Sequence, residues 1–191
     1  MTIRQRRAIH EAGHTVHSLL HDCSIFEVCL PLQKNKETGS HAWCDTDTQC
    51  LVQRCKYDEY IKALVAGDAA EAHAARIYIG AMGGSTADWN ILEQFFLWQK
   101  KVENFKTLVA NGIDIAQARR VSVDSDLQMD LALYDELSAI VLDARKEVLI
   151  ELLANWNAVE AIALALNEKK RLNREEVMAI WARFRPFVVR S

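Results

Sequence analysis

Two prolines, Pro31 and Pro186, and seven glycines are the only residues of these two types in a chain of 191. They are the strongest breakers of regular structure. An all-β sandwich or barrel needs a turn roughly every 8–12 residues, and this chain lacks the residues to make so many. The sparse punctuation predicts a mainly α-helical fold. Apolar residues make up 50% and charged residues 26%, a globular balance rather than a disordered one. At this length folding removes roughly 70% of the unfolded chain's surface from water, so neither a disulfide nor a metal is required merely to fold. No repeat and no Pro-, Gly- or Ser-rich linker divides the chain, and residues 1–191 read as a single domain.

Charge excludes some functions. Lys and Arg number 23 against 26 Asp and Glu, a formal charge of -3, with no long basic block to neutralise phosphates. The composition therefore predicts no nucleic-acid partner. No window approaches the roughly 18 consecutive apolar residues of a membrane helix, and Met1-Thr2-Ile3-Arg4-Gln5-Arg6-Arg7 has no apolar signal stretch, so a cytoplasmic protein without a membrane partner is expected. The five cysteines Cys23, Cys29, Cys44, Cys50 and Cys55 contain no C-x-x-C pair and predict reduced, partly buried thiols.

Helical spacing of Ile3, Ala8, Ile9, Ala12, Val16, Leu19 and Leu20 predicts a first helix over about 3–21. A change of character follows. Ile25 to Leu30 ends at Pro31, Gly39 lies in a polar stretch, and His41-Ala42-Trp43-Cys44 comes next, which predicts a small hairpin or irregular β segment near residues 24–50. Helical spacing returns from Tyr57 through Ile77 to a stop at Gly80. Gly83-Gly84-Ser85-Thr86 marks a turn, and a helix over 87–111 ends at Gly112. The C-terminal helical part, about 124–190, opens at Asp124-Ser125-Asp126 with a long helix to about Asn155. Two short helices close it, each with a cap three residues before a carboxylate: Asn157 before Glu160, and Asn173 before Glu176.

Within the first helix, His10-Glu11-Ala12-Gly13-His14 has the pattern H-E-x-x-H. Positions four apart differ by about 40° around a helix and about 6 Å along it, so both imidazoles can converge on one ion. Neutral imidazole is a preferred ligand of Zn2+. Glu11, one residue past the first histidine, can reach a zinc-bound water without ligating the metal and serve as general base. Gly13 costs about 1 kcal/mol of helix propensity, which asks for a close approach by substrate or by another helix.

One helix cannot surround a tetrahedral ion, so a third ligand must come from elsewhere. His17 and His21 share the face of His10 and His14, but His21 lies about 16 Å along the axis from His10, and His17 could serve only as a supporting or alternative ligand. The longer pattern H-E-x-x-H-x-x-G-x-x-H is absent, because His17 and Leu20 occupy its glycine and third histidine. Glu71, His73 and Asp88, on later helices, are the candidates.

Four stretches together resemble the peptidase domain of the FtsH-type AAA metalloproteases. Arg7-Ala8-Ile9-His10-Glu11-Ala12-Gly13-His14 is similar to that family's zinc helix, and Ala66-Gly67-Asp68-Ala69-Ala70-Glu71 to its G-G-R-A-A-E segment. Gly84-Ser85-Thr86-Ala87-Asp88 resembles the S-T-G-A-S-N-D stretch whose aspartate ligates zinc. Leu166 to Val177 is similar to a closing L-x-E-K-x-x-L-x-x-E-E-V. The resemblance covers about residues 6–180 and implies a helical metallopeptidase domain with His10, His14 and Asp88 on zinc, Glu11 activating water, and Glu71 in a supporting role. Three departures stand out: Asp68 replaces the family's arginine, Ala87 its asparagine, and the cysteine-containing segment 23–55 its connecting loop.

The expected function is a zinc metalloendopeptidase acting on peptides or unfolded polypeptides. The chain has no phosphate-binding G-x-x-x-x-G-K-[ST] loop to power an unfoldase. The resemblance extends the partners to a homo-oligomer, since related domains form rings, and to a separate unfoldase. The alternative is a catalytically idle metallopeptidase fold serving as a binding or regulatory module, with a structural zinc or none. Trp89 is expected in the core or shaping a pocket, and Phe95, Phe96 and Trp98 in the core.

Overall fold

A computed structural model describes residues 1–30, 42–54, 56–76, 86–124 and 127–184 of the protein. Expectations for Pro31, Gly39, His41, Cys55, the helical stretch from Ile77 to Gly80, the turn at Gly83-Gly84-Ser85, Ser125, Asp126 and residues 185–191 lie outside them. The fold is mainly helical, with a small three-stranded antiparallel sheet.

The first helix, α1 (Ile3–Leu20), starts where Thr2 and Gln5 cap one another reciprocally and ends at His21. Strands β1 (Ile25–Cys29) and β2 (Trp43–Thr46) pair antiparallel, Cys29 opposite Trp43, as the hairpin expectation required. A short helix, α2 (Gln49–Gln53), leads into α3 (Tyr57–Ala75). The interior of α3 is buried almost continuously from Tyr60 to Ala70, a pattern of a helix covered on every side rather than on one stripe. It ends at Arg76, which takes a left-handed conformation at φ 53°, four residues before the expected stop at Gly80.

α4 (Thr86–Ala110) packs Leu92 and Phe96 into the core and ends before Gly112, whose φ of +83° suits a residue without a side chain. Phe95 stacks with Trp98 and meets Tyr60 edge-on, but Trp98 is 42% exposed, so the expected core role holds for Phe95 and Phe96 better than for Trp98. Trp89 is partly buried against the core beside Tyr134.

Later in the chain the structure departs from the sequence expectation in three further places. An eight-residue helix, α5 (Ile115–Ser122), capped by Asp114, was not foreseen. The next long helix, α6 (Leu131–Ala154), starts at 131 rather than near 124, because Asp130 supplies the cap to the Leu133 amide. α7 (Trp156–Lys169) takes Asn155 as its boundary residue, which places Asn157 inside the helix, where Glu160 instead accepts from the Trp156 indole. The cap at Asn173 is as expected, with Glu176 completing a capping box at the start of α8 (Arg174–Trp181).

Strand β3 (Arg171–Asn173) corrects the expectation of an all-helical C-terminal part. It pairs antiparallel with β1, Val28 opposite Leu172, giving the order β2-β1-β3. Three residues carry too little periodicity to be seen in sequence, and their pairing depends on a partner more than 140 positions away. One core cluster runs from Ala8 to Val177. Among the described residues no single helix is long and apolar enough to cross a membrane. Cys23, Cys29, Cys44 and Cys50 are free thiols, and Cys44 alone of these is not fully buried.

A candidate metal centre between the first and third helices

The site exists because α1 and α3 approach unusually closely, through glycines that face the other helix. A Cβ built on Gly13 would meet the Ala66 carbonyl oxygen at 2.6 Å and the Ala70 methyl at 2.7 Å. The propensity cost of Gly13 is thus explained by helix packing. Gly67 faces back across the same seam, where a Cβ would lie 2.4 Å from His14 Nε2 and 2.7 Å from His10 Nε2. The backbone of α3 therefore forms one wall of the histidine pair, and only glycine leaves room for both rings.

His10, His14 and Asp88 come together as expected. His10 Nε2 and His14 Nε2 are 3.1 Å apart, and Asp88 Oδ2, from the first turn of α4, lies 3.2 Å from the former and 3.5 Å from the latter. Donors about 2.0–2.1 Å from a tetrahedral ion lie about 3.3 Å from one another, by simple geometry. The observed triangle has those edges. Two imidazoles and one carboxylate, with the fourth direction supplied by no other described residue, match the donor set of a catalytic zinc site rather than a closed structural one.

The far side of each ring is held. His14 Nδ1 lies 2.8 Å from the Ala63 carbonyl oxygen, which fixes this nitrogen as a donor and points Nε2 toward the triangle. His10 Nδ1 faces two carboxylates at 3.5 Å, Asp68 Oδ1 and Glu71 Oε2. Glu71 is in turn gripped by the Arg6 guanidinium, with Nε at 2.8 Å from Oε1, and Asp68 accepts from Arg145 Nη2 at 3.0 Å. Outer carboxylates of this kind orient a ligating imidazole and raise its basicity.

Electrostatics follow from this crowding. Burial pushes His10 down, but its hydrogen bonds to Asp88 and Glu71 and the charge of Glu11 outweigh that and hold its pKa well above the ordinary value. Burial likewise acts against His14, and Asp88 reverses it. Burial would raise Asp88, yet the two histidines hold it well below the carboxylate range. Glu11 is 6% exposed, and burial pushes its carboxyl up despite the opposing pull of His10 and His14. Asp68 is also raised, by burial, against His10 and Arg145.

Of the other candidates, Glu71 stands behind His10 rather than in the triangle. His73 is exposed and meets Trp156 edge-on at 4.8 Å, away from the site. His17 and His21 turn to a separate pair of carboxylates, Glu59 and Glu151. Burial, then the neighbouring His21, His14 and Lys62, hold the His17 pKa well below its ordinary value. Asp68 is the residue of the candidate site that the sequence reading noted only as a departure. Its position three residues before Glu71 was a usable signal, since i and i+3 share a helix face. We expect Asp68→Asn to weaken zinc affinity by about 10–100-fold, as loss of such an outer partner does. A competition titration against a chelator measures it, and unchanged affinity would remove Asp68 from the site.

No protein-family model matches the chain, and neither does any curated protein at a significant level.

Proposed function

We propose that this chain is a zinc-dependent metallopeptidase that hydrolyses peptides or unfolded polypeptides, with His10, His14 and Asp88 as ligands and Glu11 as general base. The observation that carries this reading is the triangle of three donor atoms, 3.1, 3.2 and 3.5 Å on its edges, beside a buried carboxylate that is not one of them. A zinc ion held there would polarise a carbonyl and supply a nucleophile at neutral pH. The residues do the remainder. Asp68, Glu71 and the Ala63 carbonyl keep the two imidazoles aimed inward. Glu11, a buried carboxylate beside the triangle that is not one of its donors, is placed to take a proton from the attacking water and return it to the leaving amine.

Substrate has a place to lie. Thr15, one turn after Glu11, donates to the Glu11 carbonyl, and its Oγ1 lies 3.2 Å from Cys44 Sγ on β2. Among the described residues β2 pairs with β1 alone, at one edge of the sheet. Its outer backbone groups are where an extended peptide would add as a further strand. Membership of the FtsH-type peptidase family is part of the same proposal, supported by the order of the four similar stretches and by Asp88 meeting both histidines. A cytoplasmic location, a homo-oligomer and an unfoldase acting in trans extend it.

The test is metal analysis of untagged protein together with cleavage of casein and of a peptide library. Zinc bound through His10 and His14, and cleavage lost in His14→Ala, are the expected results. Zinc-loaded protein that cleaves neither substrate would leave the idle binding or regulatory module as the better account.

A further inference from the structure

The histidines of α1 continue past the candidate centre. His17 and His21 lie one and two turns further along the same face and stack with ring centroids 4.4 Å apart. Glu59, in the first turn of α3, and Glu151, in the last turn of α6, close on them from two other helices. His21 Nε2 is 3.2 Å from Glu59 Oε2 and 3.3 Å from Glu151 Oε2; His17 Nε2 is 3.8 and 3.6 Å from the same two oxygens. All four donor atoms lie within 4.8 Å of one another.

We propose that His17, His21, Glu59 and Glu151 form a second binding site, for a divalent transition-metal ion of the zinc class, which ties α1, α3 and α6 together. Two features point to a ligand rather than to a network complete in itself. His17 is fully buried, yet neither of its ring nitrogens has a hydrogen-bond partner, and Glu59 Oε2, aimed into the same space, accepts no hydrogen bond, because His21 Nε2, 3.2 Å away, is bonded to Glu151 instead. Buried polar groups in native proteins are ordinarily paired, and an ion at the centre would engage both His17 Nε2 and Glu59 Oε2.

The other observations fit that ion. The spacings of 3.2–3.8 Å bracket the edge of about 3.3 Å that a tetrahedral site requires. Two imidazole nitrogens and two carboxylates form a donor set whose two negative charges a divalent cation would cancel. Lys62 Nζ engages the other oxygen of Glu59, Oε1, at 3.2 Å and holds Glu147 at 2.8 Å, which leaves Oε2 turned inward. Four protein donors leave no open position, so this site is structural in kind. His10 and His17 are about 10 Å apart along the helix axis, too far to share one ion.

Zinc counting on the full chain tests the proposal independently of peptidase activity. After chelation and reloading, wild type should hold two zinc ions and the His10→Ala/His14→Ala variant one. Glu151→Gln, chosen because it removes a charged donor while keeping the side chain's shape, should remove one ion on either background. It should also cut the zinc-dependent rise in Tm, expected at about 5–10 °C for a chain of this size near saturation. Co2+ titration of metal-free wild type gives a readout that needs no variant: a second equivalent should add its own tetrahedral absorption. A folded His10→Ala/His14→Ala variant that binds no zinc, or a wild type saturated by a single Co2+ that this variant does not bind, overturns the second site while leaving the first intact. Two ions that both survive Glu151→Gln overturn the assignment of ligands.

Discussion

Glu11→Gln is expected to lower peptide cleavage by about 10²–10⁴-fold, the usual contribution of a positioned general base, while zinc content stays at the wild-type level. Glu11 lies on α1 between His10 and His14 in sequence but contributes no atom to the donor triangle. Its loss should therefore leave the metal in place. The amide is nearly isosteric with the carboxylate, and burial already disfavours the charged form at this position. Replacement by a neutral group of the same shape should thus disturb the fold little. Turnover of a fluorogenic peptide, measured beside metal analysis on the same preparation, separates the possible outcomes. A Glu11→Gln protein that retains zinc and cleaves at the wild-type rate would exclude Glu11 as the base. A protein that loses both zinc and activity would make Glu11 a determinant of the site's structure instead.

Gly67→Ala should abolish zinc binding at His10, His14 and Asp88, though it adds only one methyl group and favours the helix. The new Cβ would sit 2.4 Å from His14 Nε2 and 2.7 Å from His10 Cδ2 and Nε2, well inside contact distance. Neither ring can turn away freely. His14 is tied through Nδ1 to the Ala63 carbonyl, and His10 is flanked by Asp68 and Glu71. Alanine gains about 1 kcal/mol of helix propensity over glycine, against the roughly 1–3 kcal/mol that overpacking costs. The net effect on folding should be a destabilisation of no more than about 2 kcal/mol. Denaturant unfolding of the metal-free protein checks this, and calorimetric zinc titration on a Glu151→Gln background, where only the site of His10, His14 and Asp88 is left, checks the site. A Gly67→Ala protein that binds zinc with wild-type affinity would show that α3 can shift away from the histidines, contrary to the tight packing of Gly13 against Ala66 and Ala70 on the same seam.

The parts of the fold legible in the sequence are those governed by local rules. Helical spacing of Ile3 to Leu20 and the cap at Asn173 need only neighbours within a turn or two, and the observed α1 and α8 begin where those signals lie. Less legible were features that depend on distant partners. β3 is three residues long and owes its conformation to β1. The start of α6 was misread because several aspartates stood near the boundary, and a sequence does not say which one will cap.

The same division runs through the candidate site. His10, Glu11 and His14 are fixed relative to one another by helix geometry, so their spacing alone brought two imidazoles to one face, and resemblance singled out Asp88 among the candidates Glu71, His73 and Asp88. Only the tertiary structure decided that Asp68 and Glu71 back His10, that Glu59 and Glu151 reach His17 and His21, and that Gly67 makes room for both inner rings. The physical reason is range. Periodicity along one helix is set by the backbone, whereas contacts across the seam depend on how closely and at what angle two helices pack, and that follows from small residues at positions whose role appears only once the partner helix is in place.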